Sequence, residues 1–459
     1  MSNSTPTQLR FAPSAGFSIR ADFAGGGLSS DLGPMLLRGI DRQIGLTARL
    51  TSAISDRRHP GYVQHPMRDL LTQRIFQIAS GYEDGNDSQS LRHDPMFRLG
   101  AGRTPFDPED ALASGATISR LEHAASTRDI YRASQALVEQ FIAGFAQPPA
   151  ALVLDMDHSE DAVYGQQPLA FYNHHYRSTC YLPLFIFDGL SGALVTAVLR
   201  PGKRPTGAEN AMIMARVLKL IRRHFPDTHI LVRGDGHFST PELMRLCATM
   251  PNTDFLFGMT GNSVLNRLAE PVMQRARTLA ATRQALGEEA SIKLYDEFEY
   301  AAGSWHKPFR VVLKAEVMAL GDNPRFVVTS MNLPEPQTVY ADLYCARGQA
   351  ENFIKQVKCD LAADRTSCTT FLANCMRLML HCAAYVLHQQ LRVHALSYTE
   401  LAVAQPNTVI LKLFKVATQI KQYKDRIVLH LPSAYPFKHL LHTLTERLYI
   451  PKPPLANSS

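Results

Sequence analysis

Apolar residues recur at helical spacing through 31–54, 65–82 and 128–146. Between the last two lies "SGATISRLEH" (114–123), where Ser119 and Glu122 read as a capping box. A short helix bearing Arg120 there would suit a helix-turn-helix contact, or be an ordinary capped helix. At residue 151 the period changes. "ALVLDMD" (151–157) is a buried-type strand closing on acids. "TCYLPLFIFDG" and "GALVTAVLRPG" predict two more strands joined by a tight turn near Asp188–Gly192. A helix over 206–225, a strand "HILVRGDGHF" running into Asp235, a helix "TPELMRLCATM" and a strand "TDFLFGM" follow. The order β-β-β-α-β-α-β predicts a mixed sheet covered by helices.

Residues 262–335 alternate like strands and carry turn signals such as "AAGSW" and "LGDNP", which predicts a β-rich insertion. "YCARGQAENFIKQVK" (344–358) predicts a two-faced helix. With Tyr344 at zero and about 100° per residue, Arg347, Glu351 and Lys358 fall at about 300°, 340° and 320°. The tail predicts helix as far as "QIKQYKD", a strand "RIVLHLP" and a last helix before "PKPP". The expected division is a helical N-terminal DNA-binding domain at 1–147, a first part of the core at 148–261, the β-rich insertion at 262–335, a core helix at 336–365, and a mainly helical C-terminal region at 366–459.

Composition narrows the class. The 459 residues are 45% hydrophobic and 19% charged, a folded globular balance. A net charge of +7 and a pI near 9.0 favour a polyanionic partner such as nucleic acid. Seven cysteines with no C-x-x-C pair argue against a zinc module or a disulfide framework, and so for a reduced, intracellular protein. No stretch predicts a signal peptide or a membrane span.

Asp157 closes the first strand and Asp235 follows the fourth. If those strands are neighbours, both acids meet in one crevice past the strand ends. Paired carboxylates repel unless a cation sits between them, and Mg²⁺ with its oxygen ligands suits them. A third acid from a covering helix would allow two metals about 3.5–4 Å apart, the arrangement that stabilises attacking and leaving oxygens at a phosphodiester. Glu351 is the candidate. The plain reading stays open: acids cap strand ends, and Arg347 with Glu351 has the i,i+4 spacing of a surface ion pair. Asp155 shares a strand face with Asp157 and is a second possible ligand or support. "HHYRS" (174–178) puts two histidines on opposite faces if it is a strand. "LRPGKR" (Arg200, Lys203, Arg204), "LKLIRRH" (Lys219, Arg222, Arg223) and Lys412 to Arg426 are backbone-contact candidates or plain solvated faces.

Tyr344-x₂-Arg347-x₃-Glu351-x₆-Lys358 matches the Y-R-E-K signature of bacterial insertion-sequence DDE transposases in all four positions. "LDMDHSEDAVYGQQ", "ILVRGDGHF" and "ARGQAENFIKQVK" resemble their first, second and third acid segments. "GYEDGNDSQSLRHDPMF" (81–97) and "LLRGIDRQIGL" resemble one subgroup's N-terminal region, so the resemblance spans nearly the whole chain. Where relatives carry Asp-x-Thr, this chain has Asp157-His158-Ser159, which keeps the hydroxyl.

The resemblance implies a cut-and-paste enzyme on a ribonuclease-H-like α/β core. Asp157, Asp235 and Glu351 would be the catalytic, metal-binding triad, with two Mg²⁺ ions per site and Mn²⁺ as a substitute. Tyr344, Arg347 and Lys358 would grip DNA phosphates. The reaction implied is hydrolysis at the ends of terminal inverted repeats, then attack of the 3′-OH on target DNA. Its partners would be double-stranded DNA and a second copy in a homodimeric synaptic complex, in a bacterial cytoplasm at the nucleoid, with no membrane. Trp305 either stacks on a flipped base, as an insertion-domain Trp does in related hairpin-forming enzymes, or packs in the insertion's core. Two alternatives stand beside this reading: a ribonuclease-H-fold nuclease without strand transfer, and a non-catalytic transposase-derived DNA-binding protein.

Overall fold

The apolar run that begins at Ala151 forms the central strand of the larger of two units. The computed structural model describes residues 8–289 and 291–449. The larger unit comprises Ala48–Asp56 and Glu122–Gln389; the smaller comprises the chain up to Thr47, Arg57–Leu121 and the chain from Gln390 on.

Strands and helices are numbered within the larger unit. The strands are β1 (Ala151–His158), β2 (Asp161–Ala162), β3 (Phe171–Asn173), β4 (Ser178–Tyr181), β5 (Leu184–Asp188), β6 (Leu194–Val198), β7 (His229–Gly234), β8 (Thr253–Met259), β9 (Ile292–Tyr300), β10 (Phe309–Met318), β11 (Gly321–Asp322) and β12 (Arg325–Thr329). The helices are α1 (Thr127–Ala143), α2 (Gly207–His224), α3 (Pro241–Thr249), α4 (Ser263–Ala285), α5 (Gln349–Lys355) and α6 (Phe371–Leu391). The main sheet runs β9-β10-β12-β8-β7-β1-β5-β6, with β11 paired to β10. β7 is parallel to both β1 and β8, whereas β5 and β6 run antiparallel. Order and polarity across β6-β5-β1-β7-β8 are those of a ribonuclease-H-like core.

Alternation along β1 sets up everything that follows. Leu152, Leu154 and Met156 enter a core shared with Val138 and Phe141 of α1 and Met214, Leu218 and Ile221 of α2. Each such side chain contributes about 1.5–3 kcal/mol on burial. Val153, Asp155 and Asp157 take the other face, where Val153 packs with Leu231, Val339 and Tyr340. Two capping boxes fix helix starts: Ser126 with Asp129 on α1, and Thr206 with Glu209 on α2.

Several elements differ from the expectation. The boundary at 147 does not separate domains, because the apolar face of α1 is buried on the sheet. Residues 262–335 open with α4, a helix of 23 residues, and β9, β10 and β12 then widen the main sheet instead of forming a sheet of their own. The alternation was real, but its apolar face found the existing core. Trp305 packs against Tyr300 and Phe309 there, ring centroids 5.3 and 5.8 Å away, which is the core reading. The expected capping box is not at a helix start: Ser119 lies inside a helix that begins at Gly115, and Glu122 bonds the Arg377 guanidinium at 2.8 Å.

In the smaller unit the two ends of the chain share one fold. Thr418–Gln422, expected helical, is a strand between Leu28–Ser29 and Ile427–His430, with Thr418 and Ile420 buried by alternation. Buried Asp31 holds Lys415 at 2.8 Å. The wholly buried Arg74 donates to the carbonyls of Tyr82, Glu83 and Asp84, bracing the turn that carries them. Residues 1–20 read from the sequence as loose or a short strand; Leu9–Ser14 and Phe17–Ala21 form an antiparallel hairpin, and residues 1–7 lie outside the described residues. Among the described residues no helix is long and apolar enough to cross a membrane.

Candidate active site

The parallel pairing of β1 and β7 sets Asp155 opposite Arg233. Two residues on, past the paired stretch, Asp157 and Asp235 emerge on the same face. The lower pair is a support. The Arg233 guanidinium grips Asp155 at 2.6 and 2.8 Å and donates to the Leu343 carbonyl at 2.5 Å, tying both strands to the segment that carries Glu351. Asp155 is fully buried and both of its oxygens are taken by this pair. Gly189 lies against both charged groups, with no room for a Cβ. Gly189→Ala is therefore expected to cost about 1–3 kcal/mol in urea or thermal melts, the usual range for overpacking.

The third acid arrives on a broken helix. Thr338–Tyr344 is wound in wide π turns, Cys345–Gly348 in a tight 3₁₀ turn, Gln349–Lys355 is α5, and Gln356–Asp360 is wide again. Such turns shift the phase from 100° per residue, so the four signature residues do not form one stripe. Glu351 is two-thirds exposed, while Arg347 and Lys358 turn inward. Arg347 bridges the acids: one guanidinium nitrogen is 3.4 Å from Asp157 and the other 3.6 Å from Glu351. The Tyr344 ring lies 5.9 Å from that guanidinium, its hydroxyl against Gly258 of β8. Lys358 has other partners. It donates to Ser159 Oγ at 2.9 Å and to the Glu160 carbonyl, and stands 3.5 Å from Asp161. Asp157 and Glu351 thus flank Arg347, Asp235 acts electrostatically on Asp157 and Arg347, and Lys358 contacts the loop after β1.

Electrostatics follow from burial. Desolvation pushes the Asp157 carboxyl up to about 7; Arg347 opposes the shift, while Asp235 and Glu351 add to it. Asp235 accepts from the backbone N–H of His237 at 2.9 Å and meets its imidazole at 3.1 Å. On the opposite face, burial and then Arg200 hold His158 down at about 3. Its neutral ring stacks on Phe238 and accepts from Arg200 at 3.3 Å.

Chemically, carboxylates around a desolvated Asp157 would fit a hard divalent ion with oxygen ligands. The Arg347 guanidinium already supplies the positive charge this cluster requires. Among the described residues no three acid, His or Cys side chains stand together in metal-holding geometry.

Sequence reasoning missed Arg233, Asp161, His237 and Tyr176. Arg233 had a readable signal: it precedes Asp235 by two residues, as Asp155 precedes Asp157. The basic sets lose two members, since Arg200 pairs with Glu209 at 3.0 Å and Arg222 caps carbonyls of Phe225, Thr228 and Asn252. His174 and His175 lie in the turn between β3 and β4, not on a strand.

A family model described as transposase DDE domain group 1 matches residues 11–452. A solved cryo-EM structure of piggyBac transposase, a synaptic complex with hairpin DNA, is similar at TM-score 0.44 and 12% identity over 82% of this chain and 78% of that one. A likeness that distant carries no functional weight. No curated protein matches. The family match covers nearly the whole sequence: the chain belongs to the transposase DDE domain group 1 family.

Proposed function

We propose that the protein is the transposase of a bacterial insertion sequence. It binds the terminal inverted repeats, cleaves at the element ends and joins the 3′-OH to target DNA. The observation that carries this reading is the gathering of Asp157, Asp235 and Glu351 at one sheet edge around a single guanidinium. Asp157, Asp235 and Glu351 would hold Mg²⁺, with Mn²⁺ as a substitute and two ions at work. A bound divalent ion supplies charge neutralisation at phosphorus and a more acidic water. The chain's own groups do the rest. Asp155 and Arg233 fix the strand register beneath the acids. Arg347, with a planar fork against the Tyr344 ring, is positioned to receive a phosphate oxygen as it leaves the carboxylates. For Lys358 a phosphate role requires the ammonium to leave Asp161, and its part here is to hold the loop. The smaller unit takes the inverted repeat, and a homodimer brings two ends together in the bacterial cytoplasm.

The test is incubation of the full chain with Mg²⁺, a duplex bearing the element's end and a target plasmid. Nicked ends and joined product are expected. Nicks without joining would leave a plain nuclease, and end binding without nicks a DNA-binding protein.

A further inference from the structure

Beside the acid cluster, a cleft of about 420 Å³ opens between the β3–β4 turn, residues 202–205 and His237. We propose that this cleft is a subsite for one unpaired nucleotide of a DNA strand, its base against the rings of Tyr172, His174, His175 and His237 and its phosphate on Lys203 and Arg204. The proposal rests on the DNA-processing reading above and adds to it the form of DNA held next to the acids.

The cleft is built, not incidental. Asn173 Oδ1 accepts the N–H groups of His175 and Tyr176 at 3.0 and 3.4 Å, and its amide donates to the Gly202 carbonyl at 3.2 Å. Arg177 closes the turn with φ 57°, in the left-handed region. Gly202 has no space for a Cβ against the Cys180 carbonyl. The turn is thus locked to the opposite wall through backbone, and its rings are presented rather than buried: Tyr172 is 57% exposed. Tyr172 meets His174 edge-on at 5.1 Å, and His175 meets His237 edge-on at 6.2 Å.

Position and charge choose the ligand. His237 sits 3.1 Å from Asp235. The half-buried Tyr176 ring lines the same cleft as His237. Lys203 and Arg204 are exposed, with the Lys203 ammonium 4.4 Å over the Phe171 ring. Among the described residues the lining holds no carboxylate. Aromatic faces beside cations are how single strands are held without sequence reading. The volume lies within the roughly 300–1,000 Å³ of small-ligand clefts, far below what a duplex needs.

The test uses the full chain, a fluorescein-labelled oligodeoxynucleotide of about eight residues and a blunt duplex of the same length, read by anisotropy. Tyr172→Ala combined with His174→Ala is expected to weaken single-strand binding about tenfold or more. Tyr172→Phe should keep it, since the ring remains. The double variant should change blunt-duplex binding less than twofold and leave the melting curve in place. Lys203→Ala with Arg204→Ala should lower the salt slope for the single strand by about 1.4. Equal single-strand affinity in wild type and the ring variants overturns the subsite. So does a wild type that binds the duplex but no single strand, an outcome that leaves the transposase reading standing. Ring-dependent single-strand binding without nicking of any duplex would do the reverse.

Discussion

Glu351→Asp is expected to lower the nicking rate about 10²–10³-fold, roughly 2.7–4 kcal/mol of transition-state stabilisation, while leaving the melting temperature unchanged. The two halves of that statement come from different facts. Glu351 is two-thirds exposed and stands 3.6 Å from Arg347. An exposed pair of that kind is worth about 0–1 kcal/mol, and Asp preserves its charge, so folding has little to lose. Asp is one methylene shorter, however, and withdraws the carboxylate by about 1.5 Å. A divalent-ion site tolerates about 0.2 Å. Calorimetry gives a readout independent of turnover: Mg²⁺ affinity should fall in Glu351→Asp. The pH dependence adds a sign. Burial holds the Asp157 carboxyl near 7, so below that pH it keeps a proton that an ion must displace, and both Mg²⁺ affinity and nicking should fall. Arg347 holds that value down, so Arg347→Ala should move the acid limb of the pH profile to higher pH. Near-wild-type nicking and Mg²⁺ affinity in Glu351→Asp would reduce the pair to a surface contact.

What could be read from the sequence was what depends on period and order. The run to Asp157, the hairpin strands, the βα crossovers and the two strand-end acids are local patterns, and a mixed sheet followed from them, with the adjacency of β1 and β7 left as a condition. Glu351 was reachable only through the spacing from Tyr344 to Lys358 and the family it resembles. The rest depended on partners distant in sequence. Nothing local says that β9, β10 and β12 extend the main sheet, because a strand's apolar face does not name its neighbour. Nor does the α1 pattern say that its face is covered by β6 and α2. The phase of 338–360 was misjudged for a different reason. Wide turns within a helix leave no mark in the apolar spacing, yet they decide that Arg347 meets Asp157 and Glu351 while Lys358 meets the loop after β1.

Lys358→Ala is expected to destabilise the fold by about 2–4 kcal/mol at pH 8, the lost hydrogen bonds plus the cost of keeping Asp161 protonated at that pH. Asp161 is fully buried, neither of its oxygens has a hydrogen bond within the described residues, and the Lys358 ammonium at 3.5 Å is the cation facing it. Desolvation pushes its carboxyl up to about 7, from an ordinary value near 3.9, and Lys358 opposes that shift. Between about pH 4 and 7 the folded protein therefore holds a proton that the unfolded chain releases, and this group's share of stability falls as pH rises through that window. Removing Lys358 drives the folded value higher and extends the window upward. The loss in urea melts should then be small at pH 5, where only hydrogen bonds worth about 0.5–1.5 kcal/mol each disappear, and should grow towards pH 8. Asp161→Asn in the same chain should recover the part that grows with pH, because an amide carries no charge to desolvate. The segment at stake is Ser159-Glu160-Asp161, directly behind Asp157, so the double variant also separates two roles for Lys358. If its ammonium acts by holding this loop, the double variant regains stability together with nicking. A lysine whose work is gripping DNA phosphate predicts the opposite pattern: unaltered melts at pH 8, weaker DNA binding, and no rescue by Asp161→Asn.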